Sequence, residues 1–228
     1  TYDGSTLIGT SSAVNKTLNI NNSNPTIGGA SYADVNAATT AITGNNQYII
    51  RNKSTLQVTV TNLTAKNGAT LKNLTLSGGG ISQTISLSGS TDASEVINVG
   101  VVNQSSNFTL TITLKDSRDY EATTTLNILV YDWVLPTATI TAQRVDNYYT
   151  TTNVTANATY SSVGGNNTVA ITARFKKTSD SSYSASVTLT NGVTTALSLD
   201  NNYEWNLQVI VADRLGSTEY VLYVDRGL

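Results

Sequence analysis

Few residues in this chain can do chemistry, and the missing types narrow the field most. His and Cys are both absent. That removes the commonest general base, thiolate nucleophiles, disulfides and Cys/His metal sites together. Carboxylates remain. Asp92 with Glu95, Asp116 with Asp119, and Asp200 with Glu204 are close in sequence. A glycosidase needs two acids about 5 to 9.5 Å apart across a cleft. These pairs are expected in loops with no groove signal around them, and 15 acids in one chain will produce such pairs by chance. Asp3-Gly4-Ser5 and Asp200-Asn201-Asn202 lack EF-hand spacing and read as turns. The expectation is a non-enzyme with no catalytic residue, no metal ligand and no cofactor.

Two further constellations carry information. Asp116 precedes Arg118 and Asp213 precedes Arg214, each after a run of four alternating apolar residues. An Asp at such a place caps the turn through backbone N–H groups and pairs locally with its Arg. Aromatic chemistry rests on tyrosine, which numbers 12 against two Trp and two Phe. Tyr148 and Tyr149 follow Arg144-Val145-Asp146-Asn147 in a loop, where core packing accounts poorly for both rings. They are the candidate ligand contacts, with packing at a junction as the competing role. Trp133 lies at a module boundary and Trp205 at an inward strand position, so both read as structural.

Composition limits the partners. Charged residues make up 12% of the chain, about half the usual fraction of roughly 25%, and the formal net charge is −2. The longest basic run is Lys176-Lys177, so nothing attracts nucleic acid. No stretch approaches the roughly 20 apolar residues of a membrane span.

The elements that must hold these residues are strands. Leu56, Val58 and Val60 alternate with Gln57, Thr59 and Thr61, a period of two. The hairpin Phe108, Leu110, Ile112, Leu114, Asp116 is matched position for position by Trp205, Leu207, Val209, Val211, Asp213. The only two prolines, Pro25 and Pro136, stand one sandwich domain apart, on the order of 100 residues. A proline at each start and a hairpin at each end define two homologous modules. The predicted fold is all-β, two tandem immunoglobulin-like or fibronectin-III-like β-sandwiches. Residues 25–133 form module 1 and 134–228 module 2; residues 1–24 are the end of a preceding module or an N-terminal extension strand. Asn67-Gly68 is a hairpin-type turn signal, and Asn191-Gly192 is a turn. Residues 33–41 lack a sustained apolar stripe and are read as a loop followed by a strand, with no helix.

Several runs resemble the minor structural tail proteins of siphophages infecting streptococci and related Gram-positive bacteria. They are Tyr32 to Asn46, Ile50 to Leu56, Asp116-Ser117-Arg118, Thr141-Ala142-Gln143-Arg144, and Asp213 to Thr218. The likeness covers roughly residues 25–228. That family commonly places Gly after the Asp/Arg pair; this chain has Asp119 in module 1 and Gly216 in module 2. The resemblance implies a virion component at the tail tip or baseplate, among other tail proteins, acting as spacer or as host-surface contact with cell-wall carbohydrate. It carries no catalytic residues over. The alternative is a Gram-positive cell-surface adhesin or carbohydrate-binding module.

Overall fold

Leu56, Val58 and Val60 are fully buried while their neighbours face outward, because a strand sends successive side chains to opposite faces. In a computed structural model that describes residues 2–4, 6–7, 23–146 and 148–227, this pattern builds two β-sandwiches. Residues 1–24, expected to end a preceding module or form an extension strand, lie mostly outside the described residues. Within them a short pair forms from β1 (Tyr2–Asp3) and β2 (Thr6–Leu7).

The first sandwich faces β3 (Thr26–Asp34), β5 (Thr55–Thr64) and β8 (Asp92–Val101) against a five-stranded sheet. That sheet comprises β4 (Tyr48–Ile50), β6 (Leu71–Gly78), β7 (Ile81–Ser86), β9 (Phe108–Asp116) and β10 (Glu121–Tyr131), in the order β4-β10-β9-β6-β7. Only β4 is parallel to its neighbour. The second sandwich faces β11 (Thr137–Arg144), β12 (Thr151–Thr159) and β15 (Thr195–Ser198) against four strands. These are β13 (Ala170–Lys177), β14 (Val187–Leu189), β16 (Trp205–Ala212) and β17 (Ser217–Val224), in the order β14-β13-β16-β17. Three strands packed on four or five, with crossovers between the sheets, is the immunoglobulin/fibronectin-III architecture. Each sandwich has its own core, one centred on Leu56, Leu74 and Ile112, the other on Val154, Leu207 and Val209.

Pro25 and Pro136 are buried and directly precede β3 and β11, where a missing N–H costs the sheet nothing. The repeated hairpin forms as β9–β10 and β16–β17.

Three readings are corrected. Asn67-Gly68 does turn the chain, but it joins strands of different sheets and closes no hairpin; Asn191-Gly192 forms its turn. Asp92 and Glu95 lie in β8 itself, not in a loop. Residues 37–43 form a helix, α1 (Ala37–Thr43). Its apolar signal is short, and its ends do the specifying. Asn36 caps it by accepting from the Ala38 N–H at 3.0 Å, and Gly44 closes it in the left-handed conformation. Thr39 and Ile42, three apart and on one face, are the residues it buries.

Candidate functional site

Helix α1 is held by a buried carboxylate. Asp34, at the end of β3, accepts from the Asn36 and Thr55 N–H groups on one oxygen, both at 3.0 Å. Its other oxygen accepts from the Thr39 hydroxyl at 2.5 Å and the Ser54 hydroxyl at 2.7 Å. Four donors satisfy the charge that burial would otherwise penalise. The result fixes α1 and residues 51–54 at one pole of the first sandwich, with Ile42 and Ile50 presented to the second.

There the two sandwiches share a third, smaller core. Ile42, Ile50, Trp133 and Val163 are buried together, with Tyr131 and Leu215 against them. Trp133 comes from the linker, Val163 from the β12–β13 connection and Leu215 from the β16–β17 turn. The Lys53 ammonium sits 4.4 Å from the Trp133 ring centre. Val163 is held at φ +48, a left-handed conformation that is costly for a β-branched residue. Gly164 passes so close to Tyr131 that a Cβ there would lie 2.5 Å from the hydroxyl. Burying such side chains is worth about 1.5–3 kcal/mol each. The exposed Arg51–Asp132 ion pair, at 2.9 Å, adds about 1 kcal/mol or less. Apolar burial therefore dominates the junction.

Asp213 fastens it. One carboxylate oxygen accepts from the Leu215 and Gly216 N–H groups at 2.7 and 2.8 Å, closing its turn. The other accepts from the Trp133 indole N–H at 2.9 Å and the Asn167 amide at 3.0 Å. The expected local pairing with Arg214 does not form, because that side chain donates to the Asn166 carbonyl instead. Asp116 caps its own turn in the same way, accepting from the Arg118 and Tyr120 N–H groups at 2.8 and 3.1 Å. Its second oxygen pairs with the Arg118 guanidinium as expected. Burial pushes the Asp116 carboxyl up, but the Arg118 side chain and the two N–H groups outweigh it and hold it below the usual carboxylate range. Asp119 turns away to Lys72, at 2.6 Å.

At the opposite pole of the second sandwich, Arg144 ties three segments together. Its guanidinium donates to the carbonyls of Leu199 and Asp225 at 2.8 Å, and to those of Asp200 and Tyr203 at 3.4 Å. Tyr148 and Tyr149 are 77% and 62% exposed here. The Asn201 amide holds the Tyr148 carbonyl at 3.2 Å. Sequence reasoning missed Tyr203 and Tyr223, which share this pole and are 43% and 53% exposed. The signal for Tyr223 was present: it falls out of phase with Tyr220, Leu222 and Val224, which are the less exposed or buried positions of β17. Among the described residues no group of three or more acids is placed to hold a metal ion.

The family model described as "Siphovirus protein of unknown function (DUF859)" matches residues 1–212. The chain belongs to that family. It is thus a siphovirus protein. No curated protein matches it. Among solved structures it is similar to the chicken CNTN1 FN1–FN3 domains, at 14% identity and a TM-score of 0.33, covering 78% of this chain and 65% of that one. It is also similar to dimeric latent PorU from Porphyromonas gingivalis, at 10% identity and a TM-score of 0.30, covering 89% of this chain and 20% of that one. The siphovirus protein spans less than two thirds of either chain. No described helix is long and apolar enough to cross a membrane.

Proposed function

We propose that this chain is a non-catalytic structural part of a siphovirus virion, a stiff spacer of the tail region that also meets the host surface, a Gram-positive wall carbohydrate. The junction carries the spacer role. Domains joined by a modest polar contact move relative to each other by default. Here the linker tryptophan is buried, bonded to the second sandwich through Asp213 and covered by the first through Ile42 and Ile50. Membership of a siphovirus family favours a phage component over a bacterial adhesin. The lack of His and Cys supports a role without catalysis, and the Thr-rich, weakly charged strands suit a particle that must endure outside a cell.

Two measurements test this reading. Gold-labelled antibody against the chain should decorate the tails of purified virions; virions without label would overturn the structural role. Residual dipolar couplings from the two sandwiches should fit one alignment tensor, and should split into two in Trp133→Ala. Two tensors in the wild type would remove the stiff spacer.

A further inference from the structure

The two sandwiches end differently at their C-terminal poles. The first presents Ile42 and Ile50, and a protein surface buries them. Its Tyr131 is stacked on Tyr48, with ring centres 4.7 Å apart. Among the described residues of the second pole, Val145 is the one aliphatic residue among the exposed large hydrophobic side chains; the others are Tyr148, Tyr149, Tyr203 and Tyr223. These are all the tyrosines that stand exposed among the described residues.

The rings are set on a braced scaffold. Arg144 binds carbonyls from the β15–β16 loop, which carries Tyr203, and from the C-terminal segment just after Tyr223. Asn201 joins the Tyr148 loop to the same cluster, and accepts from the Gly227 N–H at 2.7 Å through its carbonyl. Lys177 lies 3.4 Å from the Tyr203 ring centre. The neighbouring Glu204 carboxylate raises the Tyr223 hydroxyl above its ordinary range. Two open clefts adjoin: about 260 Å³ beside Tyr223 and Arg226, and about 400 Å³ among Asn201, Asn202 and Arg226. The first offers amide and guanidinium groups beside the Tyr223 ring, and the second offers amide and guanidinium groups.

Resting on the host-contact part of the reading above, we propose that this pole is a glycan-binding site. Tyr148, Tyr149, Tyr203 and Tyr223 would supply stacking faces, and Asn202 and Arg226 hydrogen bonds to sugar hydroxyls. A pyranose ring pairs an apolar C–H face with a polar rim, which is what amphipathic rings beside planar polar groups match. A protein partner received as the first pole receives the second sandwich would call for aliphatic residues. The second pole has replaced them with phenols. Prior fixation by Arg144 also lowers the ordering cost of binding.

The test uses the whole chain on a printed array of Gram-positive wall polysaccharides and peptidoglycan fragments, followed by titration of the strongest ligand. Tyr148→Ala/Tyr149→Ala and Tyr203→Ala/Tyr223→Ala should each weaken binding at least tenfold. Arg51→Ala, at the junction, should leave it unchanged. Because the four side chains are exposed, the variants should keep the wild-type melting temperature, which is measured alongside. A blank array with the wild type overturns the proposal. So does glycan binding that survives both double variants, or a pole whose tyrosine resonances respond only to added protein. Whole-cell binding separates the two readings. Wild type that fails to bind cells removes the host contact. Cells bound equally by wild type and both double variants keep that contact and remove this site.

Discussion

Asp116 and Asp213 occupy the same position in two copies of one hairpin, yet only half of what they do is shared. In both, one oxygen closes the turn through two backbone N–H groups. The second oxygen differs. Asp116 keeps it for Arg118, whose guanidinium also donates to the Ser23 carbonyl at 3.0 Å. Asp213 gives it to Trp133, 80 residues earlier in the chain, and to Asn167. The turn needs one oxygen, so the other is free to be used between elements. In each case the contact reaches the strand-free chain that leads into the sandwich, by way of Arg118 at Ser23 and directly at Trp133.

The largest effect should come from removing what Asp213 holds. Trp133→Ala should cost about 3–5 kcal/mol in denaturant unfolding and uncouple the two sandwiches into separate transitions. A single unchanged transition would detach Trp133 from the junction. Next, Asp116→Ala and Asp213→Ala should each cost about 2–3 kcal/mol, since both strand turn N–H groups. Only Asp213 should couple to Trp133→Phe in a double-mutant cycle, by about 1 kcal/mol; equal coupling at Asp116 would erase the distinction. Gly164→Ala should cost about 1–2 kcal/mol, because its φ is +66 and the added Cβ meets Tyr131. Thermal melts should show the loss in both sandwiches, because Gly164 belongs to the second and Tyr131 to the first.

The smallest effect concerns pH. The folded pKa of Asp116 lies below its unfolded value, near 3.9. Its contribution is therefore complete above the unfolded pKa and is lost as pH falls through the folded one. Acid titration of stability below about pH 4 should be shallower in Asp116→Asn than in the wild type. Identical slopes would show that Arg118 does not favour the charged form.

The strands were legible because alternation is local. Leu110, Ile112 and Leu114 announce a buried face wherever the partner strand lies. Helix α1 was not legible: seven residues bury two side chains, and the groups that fix it, Asn36 and Asp34, act through a cap and through Ser54, 20 residues away. For the candidate site, the adjacency of Tyr148 and Tyr149 in a polar loop could be read directly. Tyr203 and Tyr223 join them only through a loop and a strand end that Arg144 brings together.

By itself the chain's order of residues determined the all-β architecture, the repeated hairpin and the turn-capping role of its two aspartates, because period, turn chemistry and short-range capping act within a few residues. Tertiary structure decided what each aspartate does with its second oxygen, and which pole is buried and which stands open. Those outcomes depend on side chains separated by tens of residues meeting at contact distance, and no local pattern records that meeting.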